Sequence, residues 1–322
     1  ASSSVSSGGA AWPPAQAAAI AKGFAEFRFA GPTEADDLAD KAAPVEAQVD
    51  YAAAIFDAVV PLLLFPQYRA AITRGLVVSL GGITEHIAKA AKRALLKYLK
   101  EDAEGLCGSR ALELCQQMLH TFQETGTKDG DPEAKRMLAP LLSSAGILLQ
   151  QGCFPQQLFR ALYECGFGTV RSSKDIVRLR ASIPVFIGLL RWPGYVRRKA
   201  LSVLLNFLGC SFPTVRQAAA QALYIRLLEE EADMDLTVPE EGITANATIP
   251  AQAVAEVLEL LTITSWATDN EQALASALRE VYAKLGMDLP KGGRSILVSR
   301  KPKSDTRPKE AQYADLVREN HY

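Results

Sequence analysis

Residues 191–231 read RWPGYVRRKALSVLLNFLGCSFPTVRQAAAQALYIRLLEEE, and this stretch decides the fold. It contains two amphipathic patterns, each opened by a proline just before a Val-Arg pair, at Pro193 and at Pro213. In both, apolar residues recur at the i, i+3, i+4, i+7 spacing of a helix. A proline in the first helical turn costs no hydrogen bond, because its missing N–H would have no partner within the helix. Residues 209–211 are too short a connection for anything but an antiparallel turn, so the segment predicts a helical hairpin.

The second helix of this hairpin resembles the second helix of a HEAT repeat. Val215 and the following alanines are expected to pack inward, with Leu223, Leu227 and Leu228 filling the space beyond them and Arg216 on the ridge between repeats. One such hairpin cannot bury both of its apolar faces, so it requires neighbours stacked on each side. The whole chain shows roughly ten or eleven helical patterns at a spacing of about 20 residues, which suits two-helix repeats of about 40–47 residues. We therefore predict an all-α fold, an α-solenoid of HEAT/armadillo-like helical hairpins with disordered ends; a compact all-α domain fits the same helix count.

Three regions follow from composition along the chain. Residues 1–48 are rich in Ala, Gly, Ser and Pro and are expected to form a partly disordered lead. Residues 49–288 carry the helical patterns and form the predicted HEAT-like domain, interrupted by an acidic loop at 232–249. Residues 289–322 are basic with few apolar anchors and are expected to be a flexible tail.

Overall composition excludes several classes of protein. The 322 residues are 48% hydrophobic and carry a net charge of -1, so no global field points to nucleic acid or to a membrane surface. The five cysteines show no CxxC spacing, which favours reduced intracellular thiols. The start of the chain has neither the basic nor the apolar region of a signal peptide, and we expect a soluble fragment of something longer.

No sequence signature of an enzyme is found. The chain lacks GxxxxGK[ST], HExxH, GxSxG and EF-hand spacings, so we predict no catalysis, no metal and no cofactor. The best catalytic alternative is a cysteine nucleophile with His86 or His120 as its base. Cys115 and His120 are five residues apart on one predicted helix, which turns their side chains away from each other.

The segment 171–199 is strongly basic, with eight Lys or Arg residues against Asp175 alone. This segment could bind nucleic acid phosphates, could bind an acidic protein surface, or could be an ordinary solvated helix face. It lacks the interleaved aromatic residues on which nucleic acid bases stack. Trp192 and Trp266 each lie at a predicted helix junction, where they serve either as packing plugs or as binding hot spots. The acidic residues 229–231 end a helix and could pair with the basic segment.

Several short motifs together resemble the C-terminal part of the tubulin-folding cofactor D family of tubulin-specific chaperones. They occur in the family's order across about residues 49–288, and they are Phe65-Pro66-Gln67-Tyr68, Ser79-Leu80-Gly81-Gly82-Ile83-Thr84-Glu85, Gly152-Cys153-Phe154, Ser173-Lys174-Asp175-Ile176, Pro193-Gly194-Tyr195-Val196-Arg197-Arg198-Lys199-Ala200-Leu201, Phe212-Pro213-Thr214-Val215-Arg216 and Thr264-Ser265-Trp266.

The resemblance implies a non-catalytic scaffold of post-chaperonin tubulin folding. Family members bind β-tubulin, join it to α-tubulin with cofactor E, and with cofactor C promote GTP hydrolysis by tubulin itself; a small Arf-like GTPase is a further family partner. The resemblance also implies a cytoplasmic location and an association with the microtubule cytoskeleton or centrosome. The resemblance covers neither the lead, the acidic loop nor the tail.

On this basis we expect a basic ridge that steers acidic tubulin, with no nucleic acid and no membrane as partners. The predicted partner-binding residues are Arg178, Arg180, Trp192, Arg197, Arg198 and Arg216. The alternative is a general HEAT-repeat adaptor of the nuclear-transport or scaffold type, which would have the same architecture.

Overall fold

The computed structural model describes residues 45–81, 84–101, 108–127, 132–171, 173–229, 234–235, 248–268 and 270–289. By its contacts the chain divides into two units, residues 1–47 and residues 48–322, and almost all described residues belong to the second. Residues 1–44 of the predicted lead, most of the acidic loop and residues 290–322 of the predicted tail lie outside the described residues, whereas residues 45–48 of the lead begin a helix.

The described residues are almost entirely helical, as the sequence predicts. Eleven α-helices follow in chain order: α1 Val45–Val59, α2 Pro66–Leu80, α3 Glu85–Lys100, α4 Ser109–Thr127, α5 Pro132–Gln150, α6 Phe159–Val170, α7 Ile176–Leu189, α8 Tyr195–Leu208, α9 Pro213–Leu228, α10 Ala251–Ile263 and α11 Glu271–Lys284. Short 3₁₀ helices at Val60–Leu64 and Gln156–Leu158 precede α2 and α6. The two strands β1 Met234–Asp235 and β2 Thr248–Ile249 form an antiparallel pair that the sequence did not predict.

Local sequence signals set many of the helix boundaries. The Asp175 carboxylate accepts a hydrogen bond from the backbone N–H of Arg178 at 3.2 Å, which caps α7. Asn270 caps α11 in the same way through the N–H of Ala273. Pro66 and Pro213 open α2 and α9 in the first turn. Pro61 ends the first apolar helix early and converts its last turn to 3₁₀ geometry, as its position predicts.

The helices stack in two layers. Helices α2, α5, α7, α9 and α10 pack side by side in one layer, and α4, α6, α8 and α11 pack side by side in the other. The pairs α4/α5, α6/α7 and α8/α9 are antiparallel hairpins whose first helix lies in the second layer. This confirms the all-α solenoid of stacked helical hairpins, and the quoted stretch is one of its repeats.

In the last hairpin, the first helix lies in the first layer and the second helix in the second layer, opposite to the other hairpins. Its first helix, α10, packs on α9, and its second helix, α11, packs on α8. Lys284 of α11 forms an ion pair with Glu256 of α10, which ties the two helices together. The order of helices within a repeat is therefore reversed after the acidic loop, a departure from a regular HEAT array.

Helices α5 and α7 pack closely against each other, and glycine allows it. A Cβ placed on Gly146 would lie 2.8 Å from Cβ of Pro184, and one placed on Gly188 would lie 2.8 Å from Cβ of Leu149. Both distances are shorter than real Cβ contacts allow, so neither position accepts a side chain without movement. Helix α7 continues through Pro184 to Leu189.

The core of the quoted hairpin mostly follows the predicted pattern. Val215, Ala219 and Leu223 are fully buried, and Leu227 is nearly so. The prediction for Leu228 was wrong, because its side chain is more than half exposed at the end of α9. The apolar stripe of α9 that faces the core therefore ends at Leu227, one residue before the run of leucines ends.

Candidate partner-binding surface

Two of the six predicted binding residues lie near the start of α7. Arg178 is largely covered and its guanidinium Nη2 lies 3.6 Å from the Asp175 carboxylate. Arg180 is exposed to solvent. Of this pair, Arg180 therefore offers the more accessible positive charge.

Arg197 lies in the first turn of α8, and its side chain is only 8% exposed. Its Nε donates to the backbone carbonyl of Leu190 at 2.7 Å, and its Nη2 donates to that of Arg191 at 3.2 Å. These carbonyls belong to the C-terminal end of α7, where helices carry partial negative charge and lack their own donors. Arg197 therefore fastens the turn that joins α7 to α8.

Arg216 is 5% exposed and bridges two repeats. Its guanidinium donates to the carbonyl of Cys210 at 2.9 Å, to that of Trp266 at 2.8 Å and to that of Thr268 at 2.6 Å. Trp266 and Thr268 belong to the turn that joins α10 and α11. Arg216 therefore connects the quoted hairpin to the last one.

The predicted basic residues differ in position and in burial. Arg178 and the turn at Leu190 stand at opposite ends of α7, about 18 Å apart at the rise of an α-helix. Arg197 and Arg216 are buried against carbonyls, and Arg216 lies between two repeats, as expected. Partner binding by these residues remains a prediction, and Arg180, Arg198 and Trp192 are its more exposed members.

The two junction tryptophans differ in their surroundings. Trp266 is 4% exposed and its indole N–H donates to the carbonyl of Leu261 at 3.1 Å, so it packs as a junction plug. Trp192 packs its ring against Phe159, with centroids 5.1 Å apart, yet remains 36% exposed. Its exposed part is available to a partner.

The basic segment and the acidic end of α9 meet in one place. The Glu229 carboxylate lies 3.3 Å from the guanidinium of Arg191 and 3.4 Å from that of Arg226. The hypothesis that the acidic run pairs with the basic segment is thus confirmed at Glu229; residues 230 and 231 are outside the described residues.

The sequence analysis missed a cluster around Tyr195. The guanidinium of Arg160 and the ammonium of Lys199 lie 5.2 Å and 5.3 Å from the centroid of the Tyr195 ring. Tyr195 and Lys199 are one helical turn apart on α8, which is a readable signal. Arg160 comes from α6 and joins them only through the packing of α6 on α8.

The candidate thiol site gains no support from the geometry. Cys115 is fully buried, whereas His120 on the same helix is exposed and faces Glu124 at 3.7 Å. Burial raises the pKa of the Cys165 and Cys210 thiols, which keeps them protonated and weakly nucleophilic at neutral pH. In the described ranges, no three His, Cys, Asp or Glu side chains gather as a metal site would require.

The stacked helical hairpins place the described part of the chain in the α-solenoid class. Residues 30–176 match the family described as tubulin folding cofactor D C terminal. The match ends at Ile176, at the start of α7, so the hairpin 191–231 lies beyond it. No solved structure matches the chain. Within the described ranges, no helix is both long and apolar enough to cross a membrane.

Proposed function

We propose that the chain is a non-catalytic scaffold of tubulin folding that binds β-tubulin and assists assembly and disassembly of the α/β-tubulin heterodimer. The observation that carries this proposal is the family match over residues 30–176. The stacked hairpins support it, because a solenoid presents a long surface to a folded partner without needing an active site.

The finer parts of the proposal follow from the same family. The scaffold acts in the cytoplasm, at or near the microtubule cytoskeleton or centrosome, together with cofactors E and C and a small Arf-like GTPase. Any stimulation of GTP hydrolysis occurs on tubulin and requires those cofactors. We propose no hydrolytic residue in this chain.

Tubulin is strongly acidic, and the exposed Arg180 of α7 and the partly buried Arg198 of α8 suit such a partner. Arg180 and Arg198 lie on neighbouring helices of one hairpin stack. Such charges change the rate of encounter more than the final affinity. We propose that these two arginines, with the exposed part of Trp192, contribute to the tubulin contact.

The experiment is affinity capture with the immobilised 322-residue chain, from cell extract and from purified tubulin. We expect tubulin to be retained from both sources and released as salt rises. Retention of transport cargo from the extract, with no tubulin from either source, would instead identify a general HEAT adaptor.

A further inference from the structure

The turn between α7 and α8, with the first turn of α8 and the adjoining face of α6, carries a surface that shares only Trp192 with the proposed tubulin contact. We call it the Tyr195 platform, and it consists of Arg160, Trp192, Tyr195 and Lys199. Arg160 and Trp192 are exposed, and Tyr195 and Lys199 are partly buried. Tryptophan, tyrosine and arginine are the side chains most enriched at the energetic centres of protein interfaces.

The platform is rigid, because Trp192 and Tyr195 pack against the aromatic rings of Phe159 and Tyr163. Tyr195 meets the edge of Tyr163, with centroids 6.4 Å apart, and Tyr163 stacks on Phe167 at 5.8 Å. Gly194 adopts φ 94°, a conformation that other residues rarely take, and so fixes the entry into α8. A surface ordered before binding loses little conformational entropy when a partner arrives.

Two cations converge on the Tyr195 ring, and the surrounding sequence leaves them in excess. From residue 176 to residue 228 the chain contains no Asp or Glu. Arg160 has Glu164 at 3.4 Å, whereas among the described residues no carboxylate forms an ion pair with Lys199 or Arg198. The buried guanidinium of Arg197 bonds to carbonyls nearby and adds to the positive potential.

We propose that the Tyr195 platform binds an acidic peptide segment of a partner protein. Carboxylates of the segment pair with Arg160 and Lys199, the two cations that lie against the Tyr195 ring. An apolar side chain of the segment packs on the exposed part of Trp192. Nucleic acid fits less well, because the cations already lie against the Tyr195 ring that a base would need for stacking.

The inference goes beyond the proposed function and rests on different observations. The proposed tubulin contact is carried by the family match and by Arg180 and Arg198. The evidence for the platform is the two cation contacts of the Tyr195 ring and the absence of Asp and Glu from residues 176–228. Each is measured with its own ligand, so one can fail while the other holds.

The test is fluorescence anisotropy of a short labelled polyglutamate peptide with the full chain at low salt. The double variant Arg160→Gln, Lys199→Gln is expected to bind the peptide about five- to tenfold more weakly, as for the loss of two exposed charge contacts. The matched control is Lys97→Gln, Lys100→Gln, which removes the same charge from α3; it should bind like the parent chain. A polyglutamine peptide should not bind.

A second probe tests the tryptophan. A polyglutamate peptide with one central leucine should bind more tightly than polyglutamate alone, and Trp192→Ala should abolish that gain. Circular dichroism of each variant verifies that it is folded.

Three results would overturn the proposal. They are an absence of polyglutamate binding, equal weakening by the two double variants, or a single-stranded oligonucleotide bound at the platform in place of the peptide. The last result would assign the surface to nucleic acid.

Discussion

Several arginines that resemble surface charges in the sequence act as internal clamps. Arg197 and Arg216 bond to backbone carbonyls rather than to carboxylates. A buried guanidinium is tolerated only when its donors are satisfied, and its planar array of five N–H groups can reach several carbonyls at once. The positive charge of these residues is therefore used to close turns and join repeats.

Replacing Arg216 with Met should strongly destabilise the domain. The variant loses three hydrogen bonds and leaves the carbonyls of Cys210 and Trp266 without the donors that the structure gives them. We expect a loss of about 3 kcal/mol in the free energy of unfolding, measured by urea denaturation followed by circular dichroism. Arg180→Met, at an exposed position of similar chemistry, should change it by less than about 0.5 kcal/mol. Equal effects of the two substitutions would show that Arg216 is not a clamp.

Two buried tyrosines make stability depend on alkaline pH. Burial raises the pKa of Tyr163 and of Tyr282 to about 12. The unfolded chain ionises these phenols near pH 10, so it loses protons that the folded chain keeps. Their contribution to stability is therefore complete below pH 10 and is lost as pH rises from about 10 to about 12.

The matching measurement compares Tyr282→Phe with Tyr68→Phe in urea denaturation across this pH range. The parent chain and Tyr68→Phe, which alters an exposed ring, should lose stability steeply above pH 10. The free energy of unfolding of Tyr282→Phe should fall less steeply than that of the other two proteins, by up to about 1.4 kcal/mol per pH unit. Identical slopes for all three proteins would contradict the assignment.

At the level of elements, the contact between α5 and α7 sets the spacing of the layer. Gly146 faces Pro184, and Gly188 faces Leu149, so each helix offers a glycine where the other presents a Cβ. A similar contact joins the end of α2 to α5, where Gly81 lies against Pro140. Close backbone approach is thus repeated along the first layer.

Adding a methyl group at this contact should separate the two helices. We expect Gly146→Ala and Gly188→Ala each to lower the free energy of unfolding by about 1–3 kcal/mol through overpacking. Gly168→Ala is the control, because its Cβ would meet no atom within 4 Å on the exposed side of α6. It should raise stability by about 0.4–1 kcal/mol, since alanine restricts the unfolded chain. Stabilisation by all three substitutions would show that α5 and α7 are not in close contact.

For the whole molecule, the sequence predicts what is encoded locally. Pro213, the cap at Asp175 and the apolar spacing of α9 act within a few residues, so the hairpins and their stacking could be predicted. The burial of Arg216 depends on carbonyls some 50 residues away, and the reversed order of α10 and α11 leaves no mark on helix spacing. The burial of Arg197 and Arg216 was therefore not predicted, and the Tyr195 platform, which joins α6 to α8, was missed.

The most direct test of a tubulin-binding scaffold is the association rate with tubulin, measured by stopped-flow fluorescence over a salt series. We predict that Arg180→Glu, Arg198→Glu associates about tenfold more slowly than the parent chain at low salt, and that the difference vanishes at high salt. The control Lys97→Glu, Lys100→Glu makes the same charge change on α3 and should leave the rate near that of the parent chain. Equal association rates for the parent chain and both variants at low salt would contradict tubulin recognition by the basic residues of α7 and α8.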